Sequence, residues 1–356
     1  MGKKISIGRT FVGPDYPPYL IAEIGLNHNG SMMLAKEHIQ SAAKAGANLV
    51  KFQKRDLTEL ALDDFLDSPF KKCPSLGRTQ REVREILELT KEQIIELREI
   101  SFQHGLDFSF SVFDLKSLEF ALEMDLNVIK IPSHSATNFP LIKALTQIDK
   151  PIILSLGGTT WEEKEQIISL LGDTDVVLMH CISSYPTKDE ELKLDTIKEL
   201  DNKFNRVVGY SGHEPGYEIS ASSVLFGASV IERHFTLSRS MVGLDHKISL
   251  EPNEFSNLTM LANRFFKSKG ILLDRIENGE IDSRNNYHVS ICSTKNISKG
   301  HIIKKEDICC KQPLTDEKLF FTGLEYDKIL NAEVTEDILI NTQIPRKSIK
   351  LQENQF

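Results

Sequence analysis

In "GASVIERHFT", residues 227–236, the chain opens like a buried strand and ends in Glu232, Arg233 and His234. "RVVGYSGHE" ends likewise in Ser211 and His213, and Glu23 interrupts the apolar run "YLIAEIG". Side chains two apart on a strand share a face. Glu232 and His234 therefore point one way and Arg233 the other; Lys51 and Gln53 pair in the same manner. Two imidazoles near a carboxylate suit a divalent metal with open positions for water or substrate, and they are too few for a closed structural zinc site. Mn²⁺ fits such a loose site, with Mg²⁺ as the alternative. Lys51 and Lys130, together with Ser111, Ser133, Ser155 and Ser211, suit a phosphate or carboxylate anion. The chemistry to expect is an anionic substrate, a metal acting as Lewis acid, and Glu23 as acid/base. Singly, each residue has a plainer reading: a lysine in an ion pair, a histidine satisfied in a core, a serine capping a helix. Burying them all at one place is costly unless they pair or bind a ligand.

The elements that must position these groups are β-rich runs, each followed by a helical stretch: YLIAEIG, NLVKFQ, DFSFSVF, NVIKIPS, PIILSLG, DVVLMHC, RVVGYSG and ASVIERHF. They are rich in Val and Ile with little alternation, as parallel strands covered on both faces should be. Thr90 with Gln93 and Thr160 with Glu163 fit capping boxes, and Gly46, Gly105 and Gly172 fall at helix C-termini. The repeat predicts an α/β fold, a (β/α)₈ TIM barrel; a doubly wound sheet is the alternative, without a GxGxxG after the first strand to support it. In a barrel the strand C-termini carry the site. The last strand lies beside the seventh and the first, so His213, His234 and Glu23 converge. His180 and Tyr185 fall at and just beyond the end of the sixth strand. Residues 54–88 are too long for an ordinary connection and predict a lid over the barrel mouth. The barrel is expected over 1–275, an aperiodic polar linker over 276–288, and a small, mostly β domain over 289–356.

The chain has 356 residues, 40% hydrophobic and 26% charged, the composition of a soluble globular protein. A net charge of −8 argues against nucleic acid as a partner. No apolar run is long enough to cross a membrane. The opening MGKKIS has no apolar core behind it, so it does not read as a secretory signal, although Gly2 and Ser6 fit the short, common myristoylation pattern. Five scattered cysteines without a CxxC pair indicate reduced thiols and a cytoplasmic location.

Together, "IAEIGLNHNG", "VKFQKR", "YPT" after "HC", "GYSGHE", "VIERHFTL" and "GLDHKISLEP" resemble the sialic acid synthase family, and "NISKGHIIKKEDI" resembles its C-terminal antifreeze-like (SAF) domain. The resemblance implies a C–C bond-forming transferase. It would condense phosphoenolpyruvate with the aldehyde of an N-acylated hexosamine, releasing phosphate, as in N-acetylneuraminate or legionaminic acid synthesis. Carried onto this chain, His213 and His234 bind the metal. Lys51, Ser111, Lys130, Ser133, Ser155, Ser183 and Ser211 hold phosphoenolpyruvate. Gln53, Tyr185 and Asp245 face the sugar, Glu23 moves protons, and Glu232 supports the metal or its water. A domain-swapped homodimer is also implied. Two departures bear on the sugar: Ser135 stands where some members have Glu, and Gln312, in "CKQP", stands where many have Arg. The sequence leaves open whether the acceptor is N-acetylmannosamine or a 2,4-diacetamido sugar, and whether it is phosphorylated. Rival readings are a Schiff-base aldolase using Lys130 and a metal-dependent hydrolase, which would want HxH where Asn27, His28 and Asn29 stand. A third is an ice- or carbohydrate-binding role for the tail.

Overall fold

The computed structural model describes residues 3–271 and 276–351; Gly2 lies outside them. The chain divides into two units, 1–269 and 270–356, so the second begins ahead of the expected 275 boundary.

In the first unit an antiparallel hairpin, β1 (Ile5–Ile7) and β2 (Thr10–Val12), precedes the parallel strands. These are β3 (Tyr19–Gly25), β4 (Leu49–Lys54), β5 (Asp107–Val112), β6 (Ile129–Ile131), β7 (Ile152–Ser155), β8 (Val176–Cys181), β9 (Val207–Gly212) and β10 (Val230–His234). They follow one another around a closed barrel, β10 pairing with both β9 and β3. All eight coincide with the β-rich runs. Every strand is buried on both faces, which explains the missing alternation. Residues facing outward pack under the helices. Those facing inward at the lower end, among them Ile21, Leu49, Met179 and Val230, form a separate apolar cluster with Ile7 and Val12 of the hairpin.

The helix ends obey local rules. Thr90 with Gln93 and Thr160 with Glu163 form reciprocal capping boxes. Residues 54–88 fold into three short helices, Leu57–Leu60, Asp63–Leu66 and Gln80–Leu87. Arg81, on the third, ties it to the second through Asp63 at 2.8 Å and Asp67 at 2.7 Å.

The second unit pairs β11 (Ser290–Ser293) with β12 (Ile308–Lys311) and β13 (Glu333–Val334) with β14 (Ile349–Lys350), around a small core that includes Ile291, Ile303 and Ile344. Asp307 is buried there, accepting from the Lys304 N–H at 2.8 Å and bonded to His301 Nε2 at 2.7 Å and Lys295 Nζ at 2.5 Å. The stretch read as an aperiodic linker carries a helix, Ile281–Tyr287; it buries no residue, so it has no apolar stripe to betray it. Among the described residues, no helix is long and apolar enough to cross a membrane.

Candidate active site

The strand register decides which side chains meet. His234 lies opposite Glu23, Glu23 opposite Lys51, Gln53 opposite Ser111, Ser111 opposite Lys130, and Glu232 opposite Ser211. A cavity of about 880 Å³ opens at these strand ends. It is lined by Glu23, Lys51, Gln53, Ser111, Lys130, Ser133, Ser155, Tyr185, Ser211, His213, Glu232, His234 and Asp245. Ser183 sits exposed at its edge. The 54–88 segment lines the outer part through Phe65, Gln80 and Arg84 among others, as a lid would.

At the bottom of the cavity two ammonium groups and two carboxylates interlock. Lys51 Nζ donates to Ser111 Oγ at 2.7 Å, is ion-paired with Glu23, and lies 3.7 Å from Glu232. Lys130 Nζ donates to Ser155 Oγ at 2.9 Å and lies 3.5 Å from Glu232. Burial alone would raise the Glu232 carboxyl, but the Lys130 and Lys51 ammonium groups outweigh it and hold it below the ordinary carboxylate range. Burial also lowers Lys130, with Glu232 opposing. Glu232 Oε1 accepts from Ser211 Oγ at 3.4 Å, whereas its Oε2 is buried with no hydrogen-bond partner. Gln53 Nε2 donates to Glu23 Oε1 at 2.8 Å.

Beside this network the Ser133 hydroxyl accepts the Gly157 N–H at 3.0 Å. A Cβ on Gly157 would lie 2.5 Å from Ser183 Oγ and 2.7 Å from Ser133 Oγ. Only glycine leaves room for both hydroxyls to face the same space, as an anion cradle requires.

The imidazoles of His213 and His234 stand 5.5 Å apart, centroid to centroid, with the Tyr185 ring 4.2 Å from His213. His213 Nδ1 is 3.0 Å from the Ile182 carbonyl, a contact it makes as donor. That assignment leaves the Nε2 lone pair free, the arrangement usual for a ligating histidine. Burial keeps His213 neutral, with a pKa of about 3. His234 Nδ1 is buried without a hydrogen-bond partner, and Asp245 is 4.0 Å from it. The pair fits a weakly held divalent ion completed by water or substrate. Among the described residues, no group of three His, Cys, Asp or Glu side chains is placed to hold one.

Several polar residues singled out in the sequence face elsewhere. Arg233 points out of the barrel, as its parity requires, yet is buried. It bonds Glu214 Oε1 at 3.1 Å, the Glu214 carbonyl at 2.6 Å and the Gly216 carbonyl at 2.7 Å. His180 also points outward, 2.6 Å from the Leu192 carbonyl. Asn27 ties the Phe235 carbonyl to Ser249, and Ser135 donates to the Phe113 carbonyl at 3.0 Å instead of facing the cavity. Gln312 follows β12 and donates to the Tyr287 carbonyl at 2.8 Å. Sequence reasoning missed Gly157, His134 and the lid arginines Arg55 and Arg84. Arg55 was in reach, since it continues the two-residue spacing of Lys51 and Gln53.

The family model described as "NeuB family" matches residues 38–271. The N-acetylneuraminate-9-phosphate synthase of Drosophila melanogaster is 35% identical over 90% of this chain and 92% of its own. The N,N'-diacetyllegionaminic acid synthase of Campylobacter jejuni is 32% identical over 89% and 96%. The crystal structure of an N-acetylneuraminic acid synthetase from Leptospira borgpetersenii, in complex with citrate, superimposes with a TM-score of 0.70 at 30% identity, covering 80% of this chain and 95% of that one. A barrel of the expected topology, the motifs seated at its strand ends and these matches lead to one conclusion: the chain belongs to the NeuB family, the sialic acid synthase family.

Proposed function

We propose that the protein joins phosphoenolpyruvate to the open-chain aldehyde of an N-acylated hexosamine and releases inorganic phosphate. The observation that carries this reading is the pair of buried ammonium groups, Lys51 and Lys130, each holding a serine hydroxyl and a carboxylate next to two imidazoles. The ammonium groups, with Ser133, Ser183 and Ser211, bind the phosphate and carboxylate of phosphoenolpyruvate. His213 and His234 hold a divalent ion, Mn²⁺ or Mg²⁺, which when bound supplies Lewis-acid polarisation of the aldehyde oxygen. Carbon C3 of phosphoenolpyruvate bonds to the aldehyde carbon, whose oxygen becomes a hydroxyl. Water adds to C2 and gives up a proton to Glu23, which returns it to the former aldehyde oxygen; the bond between C2 and the phosphate oxygen then breaks, the departing phosphate takes the proton of the C2 hydroxyl, and C2 is left as a ketone. Gln53 orients Glu23 through its 2.8 Å hydrogen bond, and Tyr185 and Asp245 flank the sugar. By family resemblance the working form is a cytoplasmic, domain-swapped homodimer in which Gln312 replaces the tail arginine at the partner's sugar site.

Supplying the purified chain with phosphoenolpyruvate, Mn²⁺ and a panel of N-acyl hexosamines tests the reading. Phosphoenolpyruvate should be consumed only when an acceptor is present; consumption with none of the panel counts against the reading. The lowered pKa of Lys130 favours one alternative, a Schiff-base aldolase. Borohydride with pyruvate would then modify Lys130, and chelators would have no effect.

A further inference from the structure

His213 and His234 each have a charged neighbour in the chain, Glu214 and Arg233, and those neighbours hold each other. Gly212 lies opposite Arg233 in the β9–β10 register, so the next step along both strands brings the two histidines side by side. The imidazoles line the cavity, whereas the Arg233 and Glu214 side chains lie behind it, 1% and 0% exposed. Glu214 Oε1 accepts from Arg233 Nη1 at 3.1 Å and from the Ser220 hydroxyl, and Oε2 accepts from the Tyr210 hydroxyl at 2.8 Å. Arg233 Nη1 also donates to Ser220 Oγ at 2.9 Å and to the Gly216 carbonyl at 2.7 Å, and Nη2 donates to the Glu214 carbonyl at 2.6 Å. One guanidinium on β10 thus grips both the side chain and the backbone of the segment that leaves β9, together with helix Glu218–Ser222. Gly212 makes the room: a Cβ there would lie 2.5 Å from Glu214 Oε2 and 2.7 Å from the Tyr210 ring.

Elsewhere the outward faces of the strands are covered by apolar side chains. A buried ion pair stabilises no better than an apolar pair of similar volume, because desolvation offsets the attraction. What the guanidinium adds is direction, since its planar fork fixes the groups it bonds. A site with only two histidines depends on such fixing, because a shift of either backbone opens half of the protein's hold on the ion. The His213 ring is steered by the Ile182 carbonyl at 3.0 Å, but that bond leaves its main chain to be held by something else. We propose that the Arg233–Glu214 clasp is a positioning device that keeps His213 at the spacing from His234 that a divalent ion needs. This rests on the metal part of the reading above.

The test uses the full chain and Mn²⁺ alone, with binding followed by titration calorimetry and by the spin resonance of free Mn²⁺. Arg233→Met combined with Glu214→Gln removes both charges together and keeps an acceptor for Tyr210 and Ser220, so the unfolding midpoint should stay within a few degrees. Its Mn²⁺ affinity should fall ~10-fold, the effect of removing partners that orient a metal ligand. Turnover should split in the same way. The Mn²⁺ concentration for half-maximal phosphoenolpyruvate consumption should rise ~10-fold, while kcat at saturating Mn²⁺ stays within about threefold. Arg233→Lys keeps the charge without the fork and should bind Mn²⁺ with intermediate affinity. Unchanged affinity in the double variant overturns the positioning role; should that variant not fold, unchanged affinity in Arg233→Lys does so. His213→Ala separates the two claims. If it loses Mn²⁺ while the clasp variants keep it, only the clasp fails. If the unaltered protein binds no Mn²⁺, or His213→Ala binds it equally well, the metal reading fails and the clasp's role with it.

Discussion

At the lower end of the barrel, the inward side chains of β3, β4, β8 and β10 are Ile21, Leu49, Met179 and Val230, with Ile7 of the hairpin packed against them. Two residues further along the same strands stand Glu23, Lys51, Cys181 and Glu232, all in the cavity wall. One pleat repeat separates an interior built for stability from one built for chemistry. The lower set gains from leaving water, roughly 25 cal/mol per Å² of apolar surface. The upper set pays a desolvation cost that its ion pairs repay only in part. Glu232 Oε2 and His234 Nδ1 are buried there without a hydrogen-bond partner from the protein, the condition of groups that serve a ligand.

Substitutions at the two ends should therefore separate activity from stability. The largest effect is expected for His213→Ala or His234→Ala. Each removes a proposed metal ligand and, on that proposal, should lower kcat by ~10³-fold or more, the several kcal/mol a Lewis acid contributes. Steady-state phosphoenolpyruvate consumption checks this, and normal turnover in both variants would remove the metal from the reaction. Glu23→Gln should come next, with kcat down ~10²–10⁴-fold while phosphoenolpyruvate still binds in calorimetry. Near-wild-type turnover would take Glu23 out of the proton transfer. At the lower end the pattern should invert. Ile7→Ala should cost ~2–4 kcal/mol of stability in denaturant unfolding, with kcat kept within about twofold. A large loss of kcat without loss of stability would erase the distinction between the ends.

The smallest effect lies in the second unit, where a buried carboxylate does serve stability. Burial would raise the Asp307 carboxyl, but Lys295, His301 and the Lys304 N–H bring it to about 2, below its unfolded value of about 3.9. The depressed value means that its contribution is complete above about pH 4 and is lost as pH falls through about 2. Asp307→Asn should cost ~1–2 kcal/mol at neutral pH and flatten the acid dependence. Hydrogen exchange at the Ile291 and Ile344 amides, both bonded within this unit, would read it; an unchanged acid profile would contradict the assignment.

The strands were legible because parallel β-structure writes itself as short Val/Ile runs, and a polar residue ending such a run has few structural excuses. Parity then paired Glu232 with His234 and separated Arg233. Four things escaped for physical reasons. The β1–β2 hairpin is too short for its period-two pattern to stand out from a loop. Helix Ile281–Tyr287 buries nothing, so it leaves no periodic trace. Gly157 matters for a side chain it lacks, and the collision it avoids is with Ser133 and Ser183 from other parts of the chain. The Glu214 partner of Arg233 was hidden similarly, since the contact spans neighbouring strands.

The hairpin packed against the lower end has a kinetic implication. With that end filled by Ile5, Ile7 and Val12, traffic to the cavity is expected through the upper mouth. On the proposed condensation, phosphoenolpyruvate held against Lys51 and Lys130 would arrive before the sugar that covers it, and the phosphate freed there would leave after the new keto acid. Product-inhibition patterns should show compulsory order, with phosphoenolpyruvate first on and phosphate last off; random-order patterns would mean a second doorway opens during turnover.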